Sequence, residues 1–100
     1  MDLLEALGFL TESINIKRAL IVCSSSHECN EIKRALIDRE FPCPDKYTVI
    51  GQRNIALLQY IECGLCYNVV VITRNCDLIA VLEHTTNKPF VDNDRHVFFI

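Results

Sequence analysis

One hundred residues make room for a single domain and exclude a second of ordinary size. Half of them are apolar, 23% are charged and three are Pro, which excludes a disordered or fibrous chain. A formal net charge of -3 argues against holding nucleic acid by charge alone, because that mode needs a clustered basic face.

The chain opens on Asp2 and Glu5, where a signal peptide carries Lys or Arg. No apolar run approaches the roughly 20 residues that span a bilayer. An intracellular, reducing compartment is therefore expected, cytoplasm or nucleus. Leu3, Leu4, Leu7 and Leu10 recur at helical spacing, so residues 2–12 read as an amphipathic helix. Ala19-Leu20-Ile21-Val22-Cys23 is a short apolar run that ends in three serines, as a buried strand entering a turn does. Ser25 and Glu28 have the spacing of a capping box. Cys29, Ile32, Ala35 and Leu36 give the helix that follows one apolar face, and Pro42 and Pro44 bar it from passing Glu40.

Residues 47–50 predict a second strand, stopped at Gly51. Ile55 to Leu65 predicts a crossover helix that is apolar on most sides, and residues 68–73 read as the clearest strand in the chain. Asp77 to Glu83 predicts a short helix, Asn87-Lys88-Pro89 a turn, and Val97-Phe98-Phe99-Ile100 a last strand. This alternation implies an α/β fold: one small Rossmann-like domain over residues 1–100. Its four-stranded sheet should be mostly parallel, with helices on both faces.

In such sheets ligands gather beyond the carboxyl ends of the strands. That rule picks out the loops Ser24–Ser26, Gly51–Arg53 and Thr73–Asn75, and within them Ser24, Ser25, Ser26, Arg53, Thr73 and Arg74 as a candidate anion or nucleic-acid surface. The first loop opens a helix N-terminus, whose free N–H groups suit an anion. The plainer reading is that the serines cap a helix and the arginines are solvated.

Cys23, just before that loop, is the candidate nucleophile for phosphoryl transfer. The residue six positions on is Cys29, so the arginine of cysteine phosphatases is missing. A phosphocysteine carrier, like the cysteine-loop subunits of sugar phosphotransferase systems, needs no such arginine. The six cysteines, Cys23, Cys29, Cys43, Cys63, Cys66 and Cys76, are expected to be thiols rather than disulfides. Cys63 and Cys66 form a lone CxxC, and zinc would need Cys43, Cys76 or His84 to complete the set. No metal, no cofactor and no catalytic residue is expected. His27, His84 and His96 show no ligand spacing, and no Gly-rich phosphate loop occurs.

The order of segments resembles the second RecA-like domain of superfamily 2 helicases, the DEAD-box type in particular. The residues that carry it are Arg18 to Cys23, Tyr47 to Gly51, Arg53 with Leu57, Leu58, Ile61 and Gly64, and Asn68 to Thr73. The resemblance implies the fold and a backbone-phosphate surface at Ser24, Arg53 and Thr73. It does not imply ATP hydrolysis. Arg74 stands where the family has an acidic residue, and the ATP-contacting motifs and the first domain are absent from this chain.

The expected function is a non-enzymatic interaction or assembly domain, a subunit of a larger complex, viral complexes included. A protein partner or self-association is expected, with no membrane. The apolar last strand, Val97, Phe98, Phe99 and Ile100, is the candidate interface. With no polar tail after it, that strand is expected either to be central in the sheet or to be completed by another chain. The rivals are a nucleic-acid accessory protein using the loop residues, and phosphoryl transfer through Cys23.

Overall fold

The computed structural model describes residues 3–39, 44–57, 67–85 and 96–100. Helix α1 (Leu3–Ser13) leads to strand β1 (Ala19–Cys23) and helix α2 (Ser26–Asp38). A 3-10 turn (Pro44–Lys46) precedes β2 (Tyr47–Gly51), and a second one (Gln52–Leu57) follows it. Strand β3 (Val69–Ile72), helix α3 (Leu78–Thr85) and strand β4 (His96–Phe99) complete the order. The four strands form one sheet in the order β2-β1-β3-β4, and every pairing is parallel.

Strands β1 and β3 are continuous apolar runs because both of their faces are covered. Every residue of Ala19–Cys23 and Val69–Ile72 is fully buried. On one face, Ala19, Ile21, Cys23, Val69 and Val71 pack with Leu7 of α1 and with Cys29, Ile32 and Leu36 of α2. On the other, Leu20, Val22, Val70 and Ile72 pack with Ile55, Tyr67, Cys76 and Val81. Helical segments therefore lie on both faces, as the alternation implied.

One expectation changes. Ile55 is buried as its pattern required, but residues 55–57 belong to the 3-10 turn rather than to an α-helix. The remainder of the expected crossover helix, and the Asn87-Lys88-Pro89 turn, lie outside the described residues. Of the two alternatives for the last strand, the central one does not hold among the described residues, where β4 pairs with β3 and lies at the end of the strand order.

At the amino ends of the strands, Asn68 ties the chain together. Its Oδ1 accepts from the Lys17 N–H at 2.9 Å and the Arg18 N–H at 3.4 Å, and its Nδ2 donates to the Asn15 carbonyl at 2.8 Å. Beside it the Arg18 guanidinium lies 4.8 Å from the Tyr67 ring centroid. The buried Tyr67 hydroxyl donates to Thr48 Oγ1 at 3.1 Å. This end is a structural clasp, so the loops at the opposite end are the ones left for function.

Candidate functional site

The chain leaves β1 toward the α2 face and leaves β3 toward the α3 face. The ends of these two adjacent strands therefore flank a crevice of the kind in which open α/β sheets hold ligands. Here the chain's own side chains occupy it. Ser25 is the N-cap of α2, with extended backbone (φ -148, ψ 166), and its Oγ accepts from the Glu28 N–H at 3.2 Å. The Glu28 carboxylate folds back but passes the cap residue. Its Oε1 accepts from the Ser24 N–H at 2.9 Å and from the Thr73 hydroxyl, and its Oε2 accepts from Asn75 Nδ2 at 2.7 Å.

One carboxylate thus joins the β1 loop, the first turn of α2 and the β3 loop. Partial burial pushes the Glu28 carboxyl up, but the hydrogen bonds from Thr73, Ser24 and Asn75 outweigh it and hold the group below its ordinary value. Its charge also sits at the positive end of the α2 dipole, where an anion is stabilised.

Gln52 makes the second link. Its Nε2 donates to the Ser24 carbonyl at 2.9 Å, and its Oε1 accepts from the Asp77 N–H at 2.7 Å. The loops after β1, β2 and β3 are therefore fastened to one another by two side chains.

The six candidate anion-binding residues divide around this arrangement. Ser24, Ser25, Ser26 and Arg53 share an open polar pocket of about 380 Å³ with Gly51, Gln52 and Asn54. Thr73 and Arg74 line a different hollow with Glu28, Asn75, Leu3, Ile32 and Ile100. Thr73 is buried and spends its hydroxyl on Glu28, while Arg74 is exposed and its backbone N–H donates to the Ile100 carbonyl at 2.8 Å. An incoming phosphate at Thr73 would meet a carboxylate already in place.

Cys23 is fully buried. Burial first, and then the Cys29 thiol beside it, push it far above the ordinary thiol range. Burial likewise raises Cys76, against the lowering effect of its contact with Thr73. Cys76 Sγ lies 3.4 Å from the Val22 carbonyl, to which it donates. A neutral thiol without solvent access packs rather than attacks, which counts against phosphoryl transfer through Cys23.

Cys23, Cys29 and Cys76 are free thiols. Cys43, Cys63, Cys66 and the side chain of His84 lie outside the described residues. Among the described residues no cluster of three or more His, Cys, Asp or Glu could hold a metal ion. His27 is exposed and pairs with Glu31 at 2.9 Å, one turn along α2.

The candidate interface residues divide by strand parity. Phe98 and Ile100 pack partly buried against the α1–α2 core, so they are core margin rather than surface. Val97 and Phe99 stand opposite Val70 and Ile72 on the other face of the sheet, and are 40% and 52% exposed. On that same face α3 exposes Leu78 and Ile79.

Gln52 and Asn75 fall within the loops expected after β2 and β3, but no signal in the sequence marked their linking roles. A loop glutamine carries no local pattern, and its two partners are 28 and 25 residues away. No family model, curated protein or solved structure matches this chain. Among the described residues no helix is long and apolar enough to cross a membrane.

Proposed function

We propose that the chain is a non-enzymatic interaction or assembly domain, a subunit of a larger complex, that docks through its outer strand β4. The observation that carries this reading is the pair Val97 and Phe99. They are exposed, apolar and adjacent on an outer strand whose residues 96–100 include no Asp, Glu, Lys, Arg or Pro. Soluble sheets usually blunt an edge with charge or proline, so an apolar outer strand is a surface suited to strand addition.

The carboxyl edge supports the same reading from the other side. Glu28 and Gln52 spend their polar atoms on the loops at that edge, and Cys23 is a buried thiol whose ionisation burial opposes. Three free, buried thiols fit a reducing compartment.

The test compares the native size of the complex in cells that make the chain with that of a Phe99→Asp variant. The expected result is a defined species larger than the monomer, reduced to monomer size by Phe99→Asp with unchanged circular dichroism. A monomer of the unmodified chain in those cells would overturn the proposal.

A further inference from the structure

Resting on that reading, we infer that the occupant of β4 is a second copy of this chain, paired antiparallel about a two-fold axis at Phe98. The register with β3 sets the geometry. The His96 N–H donates to the Asn68 carbonyl and the Ile100 N–H to the Ile72 carbonyl, each at 2.9 Å, while the Ile100 carbonyl accepts from the Arg74 N–H. Backbone groups alternate along a strand, so those of Val97 and Phe99 turn away from β3, toward the outer edge.

In an antiparallel pair, two outward-turned residues can exchange both of their bonds only when they stand opposite each other. With Phe98 on the axis, Val97 of each copy stands opposite Phe99 of the other. Both outward positions are then used, twice over. Directly opposed residues share a face, so each Val97 side chain meets the other copy's Phe99. This β-branched–aromatic pairing is among the favourable cross-strand pairs.

The two exposed apolar residues are thus placed symmetrically about Phe98, which is the condition for a self-complementary, closed two-fold contact. Charge agrees with it. A two-fold contact sets a strand against its own copy, so a net charge on the strand would repel itself across the axis. Residues 96–100 carry none of Asp, Glu, Lys or Arg. The product is one eight-stranded sheet.

The test uses the purified chain, by sedimentation velocity from micromolar to about 1 mM, with two double variants. Val97→Lys with Phe99→Lys puts Lys opposite Lys twice, and should raise the dimer dissociation constant by about 100-fold or more. Val97→Lys with Phe99→Glu puts Lys opposite Glu in this register, and should bring the constant back to within about 10-fold of the unmodified chain. If both variants have equal constants, the register is wrong and the inference falls.

Should either variant lose its circular dichroism, the unmodified chain decides alone. A mass that rises to that of a dimer supports the inference, and a monomer up to about 1 mM overturns it. A monomer when purified, combined with a Phe99-dependent larger species in cells, overturns the second copy while leaving the interaction reading in place.

Discussion

Glu28→Ala removes the carboxylate that joins three segments, and its cost follows from the bonds it breaks. Three donors lose their acceptor: the Ser24 N–H, the Thr73 hydroxyl and the Asn75 amide. Hydrogen bonds to a charged group contribute about 1.5–3 kcal/mol each when buried. Glu28 is only partly covered, and Ser24 and Asn75 can turn to water, so each bond is discounted to about 0.5–1 kcal/mol. The buried Thr73 hydroxyl keeps a contact to Cys76 Sγ at 3.3 Å, which limits its loss.

The sum is about 2 kcal/mol, or a fall in Tm of about 8–16 °C for a domain of this size. Glu28→Gln should lose about half as much, because the amide still accepts from Ser24 and Thr73 but sets an NH₂ against that of Asn75. The pH dependence has a definite sign. The Glu28 carboxyl is depressed in the folded chain. Its contribution is therefore fully present above the unfolded carboxyl value and is lost as pH falls through the folded one. Urea denaturation of both chains at pH 7 and near pH 3 measures it. The gap between the unmodified chain and Glu28→Gln should be full at pH 7 and shrink in acid. A Glu28→Ala loss below about 0.5 kcal/mol at pH 7, or a Glu28→Gln gap that does not change with pH, would refute the reasoning.

Asn68→Ala should cost about 2 kcal/mol in the same assay, because two N–H groups and one carbonyl lose their partner. Gln52→Ala should cost about 1 kcal/mol and speed hydrogen exchange of the Asp77 amide, which its Oε1 accepts from. An unchanged exchange rate there would count against the link. Cys23, Cys29 and Cys76 should resist a thiol reagent in the native chain and react on unfolding, read residue by residue by peptide mass. Rapid native labelling of Cys23 would restore it as a nucleophile.

What could be read in the sequence follows the range of each signal. Ala19–Cys23 and Val69–Val71 declare buried strands because a run covered on both faces has no polar alternation to disguise it. Ser25 and Glu28 declare a helix start because the capping box is local. The same local rule mistook the end point of Glu28, which passes Ser25 for the Ser24 N–H and adds Thr73 and Asn75 from a distant loop. Those partners are 45 and 47 residues away, beyond any periodicity.

Ile55 was legible as buried but not as part of a 3-10 turn, since burial fixes a face and not a hydrogen-bond pattern. Arg53 and Arg74 were grouped in one candidate surface from their places after two strands. β2 and β3 flank β1 on opposite sides, which puts the two arginines in separate hollows. The apolar character of residues 97–100 was plain, but the alternation of Val97 and Phe99 outward with Phe98 and Ile100 inward depends on the register with β3.

Amide exchange along β4, followed by NMR on the purified chain at low and high concentration, tests the central claim most directly. If a strand of a second copy adds to the outer edge, the Val97 and Phe99 amides should slow together as concentration rises. The His96 and Ile100 amides, already bonded to β3, should change little. Val97 and Phe99 exchange rates that stay the same at every concentration would contradict docking of a second copy through β4.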